Sequence, residues 1–235
     1  MANSIIRNIP NAVTCCNLLS GCIGLTFALQ GNYRLAFLCI IVGALFDFLD
    51  GMAARLLHVA SPIGKELDSL ADVVTFGVAP SAMVFSLLHP LCSNVVLPYV
   101  AFLLAAFSAL RLARFNLDER QSTSFIGLPT PANALFWGSL AVELGMKNEV
   151  LGMKNEEVLV PFLIIALVLL FSWLLVSPIP MFSLKFHSLR WRDNHIRYIF
   201  LLVSALLLVF LGIGGFAAVI GWYIILSLIS QSTRK

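Results

Sequence analysis

Long apolar runs separated by short polar or charged segments set the pattern of this chain. A helix crosses the hydrocarbon core of a bilayer with about 20 residues at about 1.5 Å each. Asn8 to Tyr33 carries no charge and predicts one span from about Asn11 to Gln30. Leu35 to about Leu57 predicts a second, although Asp47 and Asp50 lie inside it. Val73 to Leu110 is uncharged for 38 residues, too long for one pass, and His89-Pro90 is the natural break. Spans three and four are therefore expected at about Leu67–Leu88 and Val95–Phe115. Thr130 to Leu144 predicts a shorter fifth span and Val158 to Val176 a sixth. Tyr198 to Thr233 is interrupted by Gly212, Gly214 and Gly215 and reads as a tight hairpin of spans seven and eight, with one steeply tilted helix as the alternative. The expected fold class is all-α, a polytopic membrane bundle of about eight helices, with residues 1–235 forming one integral membrane domain.

Composition agrees with that pattern. Of 235 residues, 60% are apolar and 11% charged, where soluble domains average about 45–50% and about 25%. With a mean hydropathy of +0.94, the chain is excluded as a disordered protein, a nucleic-acid-binding module or an ordinary cytosolic enzyme. The five cysteines, Cys15, Cys16, Cys22, Cys39 and Cys92, lie in apolar stretches without metal-site spacing and read as small hydrophobes. Met1 to Pro10 does not resemble a cleaved signal, so the first helix is expected to stay.

The net charge of +3 matters less than where the cations sit. With a cytoplasmic N-terminus and eight spans, the cytoplasmic segments hold Arg7, Arg55, Lys65, Arg111, Arg114, Arg120, Lys185, Arg190, Arg192, Arg197, Arg234 and Lys235. The other side holds only Arg34, Lys147 and Lys154. Twelve against three fits the positive-inside rule and puts both termini in the cytoplasm. Within that set, Lys185, Arg190, Arg192 and Arg197 form a basic loop suited to anionic lipid. Leu144–Glu149 recurs as Leu151–Glu156, a tandem duplication expected in a non-cytoplasmic loop and without functional weight. His58, His89, His187 and His195 read as interfacial.

The acidic residues are the anomaly. Of twelve, four fall at the cytoplasmic ends of spans two and three: Asp47, Asp50, Asp68 and Asp72. The uncharged residues before Asp47 in its helix cover about 18 Å of an about 30 Å core, so Asp47 and Asp50 lie within the membrane's depth. A carboxylate there costs about 2.5–3.5 kcal/mol on insertion scales and marks function by default. Asp47 and Asp50 are i,i+3 and Asp68 and Asp72 are i,i+4, so each pair shares a helix face. Gly51 and Ala54 continue one stripe without bulk, and Gly64 begins the other. Four like charges this close require counter-charge. Two divalent cations would supply it, and all-oxygen ligands suit Mg²⁺ or Mn²⁺. Such a pair fits chemistry on a phosphate or diphosphate. The competing reading is that Arg55, Lys65, Arg111 or Arg114 pairs with the aspartates and merely ties helices together.

The full string, Asp47-x2-Asp50-Gly51-x2-Ala54-Arg55-x8-Gly64-x3-Asp68-x3-Asp72, resembles without gap or substitution the signature of the CDP-alcohol phosphotransferase family. The resemblance implies a six-helix membrane core, here with two further helices, and displacement of CMP from a CDP-linked lipid by an alcohol. It implies that Asp47, Asp50, Asp68 and Asp72 hold two metal ions, with Asp72 also the general base. It sets Asn11, Thr14, Asp50 and Gly64 against the CDP-lipid, with Gly51 and Ala54 letting the nucleotide approach helix two. Arg55 either contacts the diphosphate or braces an aspartate. A homodimer is also implied.

Three further stretches resemble the integral-membrane branch of the family that uses serine as acceptor: Pro10-Asn11-x2-Thr14-x2-Asn17, Ser108 to Asn116, and Phe125 to Pro131. The reading implied is transfer of a phosphatidyl group from CDP-diacylglycerol to L-serine. Ser108, Arg111, Arg114 and Asn116 would form the acceptor site, the arginines clamping a carboxylate and the Asn116 carbonyl taking the ammonium. Both arginines also suit lipid headgroups. Glycerol 3-phosphate or inositol phosphate as acceptor is the nearest rival. A cation-coupled transporter is a more distant one, without a second copy of the aspartate pattern to support it.

Overall fold

The computed structural model describes residues 2–59, 61–117, 125–151, 159–182 and 191–232. Helix α1 (Ala2–Leu29) and α2 (Tyr33–Leu56) form an antiparallel hairpin, with Asn32 capping α2 by accepting the Leu35 N–H at 3.2 Å. Ser61 caps α3 (Pro62–Asp72) through the Gly64 N–H, and Pro62 occupies the first turn, where its missing N–H costs nothing. A π-helical stretch, Val73–Val78, joins α3 to α4 (Ala79–Leu88) in one continuous rod. A 3₁₀ turn at Leu97–Phe102 leads into α5 (Leu103–Leu117). Then come α6 (Thr130–Leu151), α7 (Leu159–Val176), α8 (Trp191–Leu211) and α9 (Gly215–Ser232).

Among the described residues, six stretches are long and apolar enough to cross a membrane, and the last, Asn194–Ser230, is folded in two at Gly212–Gly214. The rings of Phe200 and Tyr223 meet at 5.9 Å, so α8 and α9 are a hairpin rather than one tilted helix. Gly212, at φ +57°, makes the reversal. The protein is thus a multi-pass membrane bundle. Its outer face carries side chains that water would not tolerate in such number, among them Leu19, Phe48, Phe162 and Phe210.

One expectation needs correction. The fifth helix runs to Leu151 instead of ending at Leu144, so the first copy of the duplication is helical and not a loop. Leu, Met, Lys and Glu favour helix, and Glu143 is held inside it by accepting the Gly214 N–H at 3.1 Å. Within the all-α bundle, Phe125–Ile126 and Pro180–Met181 pair in a two-residue antiparallel bridge between loops. Gly127 (φ +77°) follows directly, where a Cβ would stand 2.5 Å from the Leu175 carbonyl oxygen. Lys154, Arg120, Lys185, His187, Arg190, Arg234 and Lys235 lie outside the described residues, as do the second copy of the duplication beyond Leu151 and most of the basic loop.

Two apolar clusters fill the interior. One gathers Trp137, Phe171, Leu104 and Val168, with Phe136 stacked on Phe171 at 4.1 Å. The other packs Phe37, Ile40, Phe76 and Met83 between α2, the π-helical stretch and α4. Beside this second cluster, Thr75 is lodged between two helices that have glycine where they meet it. A Cβ on Gly21 would lie 2.4 Å from Thr75 Oγ1 and 2.7 Å from its Cα, and one on Gly43 would lie 2.5 Å from Thr75 Cγ2. Gly21→Ala should therefore overpack against backbone and cost about 1–3 kcal/mol, read as a lowered midpoint in thermal unfolding of the detergent-purified protein.

Candidate active site

The site is assembled where α2 ends and α3 begins. The reversal between them passes through His58 in the left-handed region (φ +52°), and α3 then packs against α1. Its consequence is that Asp47 and Asp50 on one helix face Asp68 on the other. One oxygen from each of these three carboxylates lies within 4.8 Å of the others. Asp72, one turn beyond Asp68, is not part of that mutually close trio but lies within electrostatic reach of all three. Its Oδ1 accepts from Asn17 Nδ2 at 3.2 Å, and the residue is buried. Asp50 accepts from Thr14 Oγ1 at 2.5 Å, so α1 supplies a donor to each of two aspartates.

None of the four aspartates is ion-paired with a lysine or arginine among the described residues. The basic neighbours are engaged elsewhere: Arg55 Nε donates to the Gly51 carbonyl at 2.8 Å, and Lys65 Nζ to the Asn116 carbonyl at 3.0 Å. Arg111 Nη1 donates to Thr130 Oγ1 at 3.3 Å, and Arg114 is exposed. Helix-tying ion pairs are thus not what holds the carboxylates. Asp68 Oδ1 is buried and without a hydrogen-bond partner, which costs about 1–3 kcal/mol unless a cation or donor satisfies it. A convergent, all-oxygen, partly orphaned donor set is what a hard divalent cation requires. Asp47, Asp50 and Asp68 fit such an ion, with Asp72 adjacent.

A cleft of about 240 Å³ opens beside the carboxylates, lined by Asn11, Thr14, Asp50, Gly51, Ala54, Gly64 and Asp68. Every residue expected to meet the CDP-lipid lines it except Arg55, which is folded back on its own helix. A Cβ on Gly51 would find nothing closer than Arg55 Nη2 at 3.8 Å, so the floor of the cleft is open space. Pro10, Val59, Ser61 and Lys65 complete the lining.

The expected acceptor residues divide. Ser108 and Arg111 are buried on the inner face of α5, with Ser108 Oγ and Arg111 Nε both lacking partners. Arg111 also lies within electrostatic reach of Asp72 and against the Phe115 ring at 5.6 Å. Arg114, three residues on, faces outward. Asn116 donates from Nδ2 to Ser69 Oγ at 2.9 Å and clips the end of α5 to α3. Thr130, Thr75 and the role of Asn17 were not evident from the sequence. Asn11, Thr14, Asn17 and Gly21 share one face of α1 by helical spacing, and that polar stripe in an apolar helix is the signal that marks them.

A profile of the CDP-alcohol phosphatidyltransferase family matches residues 7–187. The chain is 40% identical over 127 residues to a CDP-diacylglycerol–serine O-phosphatidyltransferase of Bacillus subtilis, covering 52% of this chain and 69% of that protein. An enzyme of the same name from Helicobacter pylori is 34% identical over 165 residues, 69% of each chain. Another from Mycobacterium tuberculosis is 33% identical over 232 residues, 94% of this chain and 73% of its own length. With the aspartate geometry and a match across most of its length, the chain belongs to the CDP-alcohol phosphatidyltransferase family.

Proposed function

We propose that the protein transfers the phosphatidyl group of CDP-diacylglycerol to the hydroxyl of L-serine, giving phosphatidylserine and CMP. The observation that carries this reading is the convergence of Asp47, Asp50 and Asp68 beside a cleft floored by Gly51, with Asp72 one turn away. The relatives named for this reaction support the choice of substrates.

Asp47, Asp50, Asp68 and Asp72 would hold two divalent cations, Mg²⁺ or Mn²⁺, which when bound would neutralise charge on the diphosphate and on CMP. The chain's own groups do the rest. Gly51, Ala54 and Gly64 leave room for the nucleotide, while Asn11 and Thr14 present polar atoms to it from α1. Asp72 keeps one carboxylate oxygen clear of Asn17 and takes the proton from the serine hydroxyl. The serine oxygen then bonds to the phosphorus carrying diacylglycerol as the bond to the CMP oxygen breaks. Arg111, with Nε unpartnered, binds the serine carboxylate, and Ser108 offers its free hydroxyl next to it. Arg111 is the only buried cation among the described residues. That suits one carboxylate better than the phosphate of glycerol 3-phosphate or inositol phosphate, which calls for several donors.

The chain acts as one catalytic membrane unit, and the distribution of lysine and arginine supports a site and both termini in the cytoplasm. It works as a homodimer, on the family resemblance.

The deciding experiment is CMP release from CDP-diacylglycerol by purified protein with and without L-serine. Release should depend on serine, stop on chelation by EDTA and return with Mg²⁺ or Mn²⁺; release driven only by glycerol 3-phosphate would refute the acceptor. Asp72→Asn should abolish turnover and leave a folded protein in size-exclusion chromatography and thermal unfolding. Arg111→Ala removes charge-assisted bonds of about 1.5–3 kcal/mol and should raise the KM for serine by about 10- to 100-fold. Arg114→Ala, on the exposed face, should stay within about twofold of the parent by the same steady-state assay, in line with small effects at surface positions.

A further inference from the structure

We infer that Tyr223 of α9 is a positioning residue for the acceptor site: it steadies the Arg111 guanidinium with a neutral oxygen and leaves its charge for the carboxylate of the incoming acceptor. The inference rests on the reading of Arg111 as the group that binds that carboxylate. It brings into the site a helix that lies beyond residues 7–187 of the family match.

Arg111 is buried, and its surroundings do little to offset the cost of a buried cation. Nη1 donates to Thr130 Oγ1 at 3.3 Å, the guanidinium carbon lies 5.6 Å from the centre of the Phe115 ring, and Nε has no partner. Two oxygen-bearing groups lie within its electrostatic reach, Asp72 and Tyr223. Asp72 is already engaged by Asn17 and by the proposed proton transfer. Tyr223 is buried as well. A hydroxyl has one donor and two lone pairs. That of Tyr223 donates to the Phe182 carbonyl at 3.0 Å, so only lone pairs remain to meet other groups. An oxygen whose proton is spent in this way attracts a cation without neutralising it. A carboxylate in its place would pair with Arg111 and occupy the donors that a carboxylate ligand needs.

The phenol is held firmly. Its ring lies 4.8 Å from that of Phe182 and 5.9 Å from that of Phe200, and those two rings meet at 5.5 Å. Phe182 directly follows Pro180–Met181, which pairs with Phe125–Ile126. From Ile126 the chain runs through Gly127, Leu128 and Pro129 to Thr130, the residue that accepts from Arg111. This run has no slack. Gly127 N–H donates to the Ile179 carbonyl and Leu128 N–H to the Leu174 carbonyl, each at 2.9 Å, and Gly127 lies too close to Leu175 to admit a Cβ. Tyr223 therefore bears on Arg111 by two routes: through space by its oxygen, and through the bridge by fastening the strand beside the segment that ends at Thr130. A phenylalanine would pack against the same rings and spare α9 the burial of a hydroxyl, so apolar packing alone does not account for a tyrosine here.

The test compares Tyr223→Phe, Arg111→Ala and the double variant with the parent, by steady-state CMP release from CDP-diacylglycerol at varied L-serine and by thermal unfolding. Tyr223→Phe keeps the ring and removes the oxygen. It should raise the KM for serine by about 5- to 10-fold, the scale of one lost hydrogen bond. The kcat and the KM for CDP-diacylglycerol should stay within about twofold of the parent, as expected when only acceptor binding is weakened. In the Arg111→Ala background the same replacement should change the KM for serine by less than about twofold, because the group it acts through is gone. A serine KM in Tyr223→Phe within about twofold of the parent, a loss confined to kcat, or an effect of equal size in the Arg111→Ala background would each overturn the inference. A Tyr223→Phe protein that no longer folds would overturn it too, since the hydroxyl would then serve the fold alone. An Arg111→Ala variant with the parent's KM for serine would instead end the reading of Arg111 itself.

Discussion

Carboxylate oxygens repel one another most strongly where water is scarce, and Asp47, Asp50 and Asp68 are held within 4.8 Å of one another inside an apolar bundle. The arrangement is maintained by helices that have no other reason to bring these groups together. No lysine or arginine among the described residues neutralises them, and Asp68 keeps an oxygen without any partner. Such a site is a debit that the rest of the bundle offsets through apolar burial, chiefly around Trp137 and Phe171 and around Phe37 and Met83. The division is spatial as well as energetic. The carboxylates sit at one end of α2 and α3, where small residues and a short reversal leave space. The aromatic packing fills the remaining length.

The polar residues of the interior follow the same economy. Thr14 and Asn17 on α1 each donate to an aspartate, so a helix that otherwise reads as a plain membrane span supplies two donors to the site. Arg111 and Arg114 show how steep the consequence of position is. They stand three residues apart on α5, yet one is buried beside Asp72 with an unpartnered Nε and the other is exposed. Their chemistry is identical; only the rotation of the helix against its neighbours distinguishes them. Asn116 ends up joining α5 to α3 through Ser69, with Lys65 on its carbonyl, which ties these two helices together beside the cleft.

Outside the span of the family match, α8 and α9 add a hairpin whose Tyr223 hydroxyl donates to the Phe182 carbonyl and whose turn is tied to Glu143 of α6. Glu143 explains how a charged residue is accommodated within a helix of span length: its carboxylate serves the backbone of the neighbouring turn. The hairpin therefore braces α6, and α6 begins at the Thr130 that holds Arg111.

Local spacing and solvent preference were legible along the chain. Uncharged runs located the helices, because only a helix satisfies its backbone in hydrocarbon. The i,i+3 and i,i+4 spacing of the aspartates and the small residues beside them located the cleft, because a helix face repeats at that period. Gly212 to Gly215 located the hairpin turn. Tertiary structure decided what depends on two or more helices at once. It set Asn17 against Asp72, buried Arg111 and left Arg114 exposed, folded Arg55 away from the cleft, and set Thr75 between Gly21 and Gly43. These outcomes turn on helix rotation and on approach distances of a fraction of an ångström, which arise from packing between distant segments and have no period along the chain to reveal them.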